Sequence, residues 1–256
     1  GLQERLNDLV QRTKMRQLLE EVRPDIVNVH NLAEAVGRTE WSLAMIEQCL
    51  RDCPVVWTLH DQWSFTGRCA YAFDCEKFMV GCDHECPTPN EHPALAPDRI
   101  APAWARKRAL LESSDRIAAV TPSRWLADEA RRGMWAARRV EVIPNAIPVD
   151  VFRPREIAEI RAELGLPRDR PVLLAVAESL SSRRKGGPQL REAWDVLGRE
   201  SMCLALLGHA DKLNLEDAQD VKSFGFVSDP ELLGRIYAAA DLLIHPAIVD
   251  NLPNVI

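Results

Sequence analysis

Three groups of residues in this sequence have the types and spacing to do chemistry. The first is Ser181-Ser182-Arg183-Arg184-Lys185-Gly186-Gly187-Pro188. It reads as a turn between a strand and a helix that Pro188 opens. A helix N-terminus offers free N–H groups and a positive dipole end to an anion. Arginine adds planar bidentate recognition and lysine a point charge, and the glycines let the backbone come close. A diphosphate site is the expectation, against the plainer reading of a basic surface turn. Neither GxxxxGK[ST] nor GxGxxG occurs, which argues against a P-loop nucleotidase and a dinucleotide oxidoreductase.

The second group is the histidines. His30, His60, His209 and His245, four of the six, fall at the ends of apolar runs that read as strands. In open parallel sheets ligands gather beyond the carboxyl ends of the strands. The residues just after each run are therefore candidates: His30-Asn31, His60-Asp61, Thr121-Pro122-Ser123, Pro144-Asn145, Glu178-Ser179, Gly208-His209 and His245-Pro246. Taken singly, each such histidine has an ordinary structural reading.

The third group is Cys69, Cys75, Cys82 and Cys86, in a segment over 66–90 that also holds Gly67, Gly81, Pro87 and Pro89 and has little periodicity. Four thiolates can close a tetrahedral zinc site, with His84 as a substitute ligand. One or two disulfides, or free thiols, are the other readings. Cys49, Cys53 and Cys203 lie in apolar or helical contexts and read as small core residues.

Elements must position these groups, and the composition allows them. The chain has 256 residues, 46% hydrophobic and 27% charged, with a net charge of −6. That suits a large globular domain or two small ones and excludes a disordered, collagenous or disulfide-scaffold chain. No apolar run reaches the ~18 residues of a spanning helix, and no signal peptide is visible. The acidic balance speaks against a nucleic-acid partner. Between Arg99 and Arg139, however, ten lysines and arginines stand against four acids. Such a face suits an anionic partner such as a lipid head group, or is simply a solvated face of arginine-rich helices.

Short apolar strands are expected at 25–30, 55–60, 116–120, 140–144, 172–176, 203–207 and 241–245. Helices alternate with them. One covers 2–20, with Leu2, Leu6, Leu9 and Val10 on one face and Pro24 as its stop. Others cover about 40–50, about 102–113 opened by Pro102, 123–133 between Ser123 and Gly133, and 155–164. A helix opened by Pro188 carries Leu190, Ala193, Trp194 and Leu197 and ends at Gly198. Asp229 and Pro230 open the last, with Leu233, Ile236, Tyr237 and Ala240. Strands apolar throughout and separated by helices predict parallel sheets covered on both faces. Two series with a break near 150 predict two doubly wound α/β domains, 1–150 and 151–256.

The sequence also resembles a known family. The strings TLHDQWSFTGRCAY (58–71) and DCEKFMVGCDHECP (74–87) are similar to retaining GT-B glycosyltransferases of group 1, family four, in the exopolysaccharide, colanic-acid-type and lipopolysaccharide branch. VTPSRWLADEA (120–130), VEVIPNAIPVDVFRP (140–154), RRKGG (183–187) and the stretch 224–256 come in the family's order.

The resemblance implies two Rossmann-like domains facing a cleft, the first on the acceptor side and the second holding the donor. It also implies an internal piece of a longer enzyme, since the family's glycine-rich first loop and closing elements are not in this sequence. The implied activity is transfer of a sugar from a UDP- or GDP-sugar to a glycan or lipid-linked acceptor, with retention, in cell-surface polysaccharide synthesis. Arg184 and Lys185, with Arg183 and Gly186, match the residues that hold the donor diphosphate and stabilise the departing nucleotide. His60 matches the histidine that reaches the donor sugar, and Asp61 beside it orients it or binds acceptor. Asp250 takes the first place of two acids separated by seven residues, a place more often held by glutamate. Asn251 and Leu252 join the donor-binding set. No covalent nucleophile stands out, so attack on the front face assisted by the leaving phosphate is implied. Protein cations replace a catalytic metal, leaving zinc only a structural role. A cytoplasmic location is implied, with peripheral contact at the inner membrane face. The competing readings are a GT-B nucleotide-sugar epimerase and a non-catalytic nucleotide- or sugar-binding module with a four-cysteine metal site.

Overall fold

The computed structural model describes residues 2–30, 42–89, 93–197, 201–210, 213–215 and 220–256. The chain divides into two units, Gly1–Pro144 and Asn145–Ile256. The expected break near 150 thus falls at 144/145.

The first unit runs α1 (Leu2–Val22), β1 (Val27–Val29), α2 (Leu43–Asp52), β2 (Val55–Thr58), α3 (Pro97–Glu112), β3 (Ile117–Thr121), α4 (Arg124–Arg132) and β4 (Arg139–Val142). Its sheet is wholly parallel in the order β1-β2-β3-β4. Ser123 caps α4 through its hydroxyl, which accepts from the Leu126 N–H at 3.1 Å, and Gly133 ends that helix. α3 starts at Pro97, not at Pro102, which lies inside the helix. Both prolines suit an opening turn, and the earlier one takes that position. Asn31 and residues 40–41 of the expected second helix lie outside the described residues.

α1 departs from its expected face. Leu6, Leu9, Val10 and Leu18 are exposed, whereas Gln11 and Leu19 are buried. Leu19 joins the core of the unit with Met15 packed against it, and ion pairs add to that attachment. Arg12 pairs with Glu47 of α2, and Arg106 of α3 pairs with Asp8 at 2.7 Å and Glu47 at 3.6 Å.

The segment after β2 is held from beneath by aromatic rings and one buried cation. Trp57 meets Trp63 and Trp135 edge to face, at 6.3 and 6.2 Å between centroids. Trp135 Nε1 donates to Ser64 Oγ at 3.2 Å. Lys107, 2% exposed, donates to the carbonyls of Trp63 (2.7 Å) and Thr66 (2.9 Å), and its ammonium lies 3.7 Å above the Trp63 ring. These contacts fix the 3-10 turn Trp63–Phe65. Burial lowers the Lys107 pKa to about 7, against the pull of Cys82, Asp61 and Cys69.

The second unit runs α5 (Ile157–Leu164), β5 (Val172–Ser179), α6 (Gly187–Leu197), β6 (Cys203–His209), β7 (Val221–Ser223), α7 (Pro230–Ala239) and β8 (Leu242–Ile244). Its parallel sheet has the order β7-β6-β5-β8. β7 is an addition to the expected strands, because Val-Lys-Ser carries no strand signal of its own. On α6 only Leu190 and Trp194 of the expected face are buried; Ala193 and Leu197 are exposed, and Gly198 lies outside the described residues. Asp229 caps α7, accepting from the Glu231 N–H at 3.0 Å. The start of β8 is locked by Asp241, which accepts from the Val172 N–H and from buried Arg161, each at 2.6 Å. Those bonds hold its carboxyl below the usual range.

Lys107→Met should remove a cation that folding makes costly, together with two hydrogen bonds. The unfolded lysine keeps its proton up to its ordinary value of 10.5, while the folded one gives it up near 7. At this lysine the unfolded state therefore binds more protons above pH 7, and its contribution to stability must rise with pH there. The buried thiols act in the opposite sense as pH nears 9, since folding raises Cys49 and Cys82. We therefore expect the slope of denaturant unfolding free energy against pH from 7 to 9 to be more positive in the wild type than in Lys107→Met. An equal slope in both would contradict the burial of this charge.

Candidate donor and histidine sites

The strand order of the second sheet points to its own site. Taken in chain order, β5, β6 and β7 run outward in one direction, and β8 returns to the other side of β5. Ligands of open α/β sheets sit beyond the strand ends where that reversal occurs. Two loops leave the sheet there: 180–186 after β5 and 245–252 after β8.

They lie against each other. Gly186 has φ +74°, and a Cβ there would stand 1.9 Å from the Pro246 carbonyl oxygen. At Gly187 a Cβ would stand 1.9 Å from the Leu180 oxygen. Both glycines are therefore required by backbone contact. The Ile248 N–H donates to the Arg184 carbonyl at 3.0 Å. Asp250 then meets the cations: Lys185 Nζ donates to Oδ2, and Arg184 Nη1 stands 3.2 Å from Oδ1. The Asn251 N–H donates to Oδ1 at 3.1 Å. His245 Nε2 stands 3.8 Å from Oδ2. Burial alone would raise the Asp250 pKa, but the Lys185 bond and the charges of Lys185 and Arg184 outweigh it and hold it low. Burial lowers the His245 pKa.

The structure thus brings Arg184, Lys185, Gly186, Asp250 and Asn251 together. Arg183 and Leu252 are exposed on the same two loops. Beyond the ends of β5 and β6 opens a largely apolar cavity of about 510 Å³, lined by Glu178, Gly208, Phe226, Val227 and Tyr237 among others. The strand-end rule located its strands, and Phe226 and Val227 lie in the stretch 224–256 that the family resemblance singles out.

In the first unit, His60 and Asp61 follow Leu59 just beyond the end of β2. Asp61 Oδ1 accepts from the Trp63 N–H at 2.8 Å and so starts the 3-10 turn. His60 Nε2 lies 3.0 Å from His30 Nδ1. Burial, then the charge of His30, lowers the His60 pKa. His30 is a strand-end candidate that the structure pairs with His60, whereas sequence reasoning gives Lys107 no part.

The four loop cysteines line one cavity of about 20 Å³. All seven cysteines are free thiols, so the disulfide expectation is not met. Among the described residues no three His, Cys, Asp or Glu side chains are spaced to hold a metal ion, so the zinc expectation meets no preformed centre. The Gly67 N–H donates to Cys82 Sγ at 3.2 Å, and a Cβ at Gly67 would stand 2.8 Å from Cys82 Cβ. Packing around the sulfurs, with Phe78 beside them, closes this loop.

The basic stretch 99–139 is largely paired within the unit. Arg108 meets Glu112, Arg131 meets Asp128, Arg132 meets Glu129 and Glu76, Arg138 meets Asp115, and Arg139 meets Glu141. This favours the solvated-face reading over a lipid-binding patch. Among the described residues no helix is long and apolar enough to cross a membrane.

The sequence pattern of glycosyltransferase family 4 matches residues 1–151. The chain belongs to glycosyltransferase family 4. Its sequence is 31% identical over 207 residues to the putative colanic acid biosynthesis glycosyl transferase WcaC of Escherichia coli K12, covering 80% of this chain and 49% of that protein. This family 4 chain spans about half the length of that relative. Its fold is GT-B. Sucrose-phosphate synthase of Thermosynechococcus elongatus superposes with TM-score 0.65 at 20% identity, covering 95% of this chain and 55% of that one. Anabaena HepE in complex with UDP superposes with TM-score 0.59 at 17% identity, covering 94% and 57%.

Gly186→Ala should force two backbones apart. We expect it to destabilise the second unit by about 1–3 kcal/mol, read as a lower unfolding midpoint. Gly81→Ala is the control, because it meets nothing within 4 Å although it too has positive φ.

Proposed function

We propose that this protein transfers a sugar from a nucleoside-diphosphate sugar to a glycan or lipid-linked acceptor, with retention, in cell-surface polysaccharide synthesis. The observation that carries the reading is the carboxylate of Asp250 seated on Lys185 and Arg184 at the reversal point of the second sheet. An anion already occupies these cations, and the first turn of α6 adjoins them. A donor diphosphate competes for the same charges.

Arg184 and Lys185 take the diphosphate and stabilise the charge that grows on it as the sugar leaves. Gly186, with no Cβ, keeps their backbone against Pro246, and Asn251 steadies Asp250 through its N–H. Once the phosphates hold the cations, Asp250 is released to accept from hydroxyls of the transferred sugar. Arg183 and Leu252 border the donor. The nucleoside fits the apolar cavity beside Phe226 and Val227. UDP in HepE supports a uridine donor, and a GDP-sugar is the alternative the test separates. His60 hydrogen-bonds the sugar, and Asp61 holds the turn that presents it. Retention rests on the family resemblance, by front-face attack with the leaving phosphate as base. The colanic acid relative supports a polysaccharide product.

Titration calorimetry with UDP and GDP tests the donor site. A charge-assisted hydrogen bond contributes about 1.5–3 kcal/mol, so Lys185→Ala should weaken binding of the preferred nucleotide about 10- to 100-fold. Asp250→Asn should act oppositely on binding, since it removes the competing charge. UDP affinity rises several-fold while release of UDP from UDP-glucose falls. Unchanged affinity in both variants would reject this reading.

A further inference from the structure

Four side chains beyond and within β1 and β2 form one hydrogen-bonded line. Thr58 Oγ1 donates to Asn28 Oδ1 at 3.0 Å. Asn28 Nδ2 lies 3.0 Å from His30 Nε2, and His30 Nδ1 lies 3.0 Å from His60 Nε2. The two rings are 5.3 Å apart between centroids. Parallel pairing sets Asn28 beside Val56. The two-residue period of a strand then puts Asn28 and His30 on one face of β1, and Val56, Thr58 and His60 on the same face of β2.

The line has a direction. The Thr58 hydroxyl gives its proton to the amide oxygen of Asn28. The amide nitrogen of Asn28 can only donate, so His30 Nε2 must accept. A neutral imidazole has one donor and one acceptor nitrogen. The proton of His30 is therefore on Nδ1, and it goes to His60 Nε2. His60 is left with its own proton on Nδ1.

We propose that Thr58, Asn28 and His30 fix His60 as the Nδ1–H tautomer, so that its second ring nitrogen is a hydrogen-bond donor and not an acceptor. His30 is a positioning residue: it acts through His60. The use of that donor in transfer rests on the reading of His60 above. The tautomer does not, and it can be read without any turnover.

The test is long-range 1H–15N correlation of the histidine-labelled chain at pH 8, where the two neutral tautomers give different patterns. His30 and His60 should both be Nδ1–H. Asn28→Asp reverses the line, because a carboxylate only accepts. His30 then donates from Nε2, accepts at Nδ1, and receives a proton from His60 Nε2. Both rings should switch to Nε2–H. His30→Asn keeps an amide donor near the place of Nδ1 and should leave His60 as Nδ1–H, while His30→Phe should release it to a mixture. His60 as Nε2–H in the wild type would overturn the proposal. So would a wild-type mixture that Asn28→Asp and His30→Phe leave unchanged. A normal Nδ1–H pattern together with absent UDP binding would leave this inference standing and remove the donor-site reading instead.

Discussion

Two backbones touch where the second sheet reverses direction, and the meeting of Lys185 and Arg184 with Asp250 depends on the contact. Gly186 and Pro246 stand so close that a Cβ would overlap a carbonyl oxygen. This brings the loop after β5 and the loop after β8 together, although 65 residues separate Lys185 from Asp250 in sequence. Asp241 and Arg161 secure β8 against β5 at the opposite end of the strands. With both ends tied, β8 delivers its loop to one place, and Asp250 meets its cations without a long search by flexible side chains.

The first unit solves a similar problem with different means. A short segment after β2 carries His60 and Asp61, and it contains no long helix or strand of its own. Rings of Trp57, Trp63 and Trp135 fill the space beneath it. Lys107 supplies donors to two carbonyls that would otherwise be buried without partners. Leaving such groups unsatisfied costs about 1–3 kcal/mol each, which offsets much of the cost of burying an ammonium. The result is a stiff turn built from loop sequence.

Much of this architecture was legible because parallel strands covered on both faces are uniformly apolar. Val172-Leu173-Leu174-Ala175-Val176 and Cys203-Leu204-Ala205-Leu206-Leu207 could be little else. The loop 180–186 stood out through its cations and glycines, and Asp250 through family resemblance, and the structure sets the two side by side. Other features depend on neighbours that sequence does not order. β7 is three residues of Val-Lys-Ser, and only its ladder to β6 makes it a strand. The leucines of α1 keep helical spacing, yet Gln11 and Leu19 turn inward. Lys107 stands in an arginine-rich helix and looks like one more surface cation until the fold buries it. The pairing of His30 with His60 needed β1 beside β2, a non-local fact. The four cysteines suggested a shared ligand, and what they share is a small cavity in a packed loop.

The way α1 is attached has a consequence of its own. Most of its large apolar side chains face solvent, and Arg12, Asp8, Glu47 and Arg106 supply its ionic contacts with α2 and α3. Ion pairs at partly exposed positions weaken as dissolved salt shortens the reach of charge, to about 3 Å at 1 M. Apolar cores respond in the opposite sense to salts excluded from protein surfaces. Ionic strength therefore separates the two kinds of adhesion in this unit. Concentrated salt weakens the ionic share of the first helix's attachment while it strengthens the apolar share that Leu19 and Met15 contribute, so the medium sets the balance between the two.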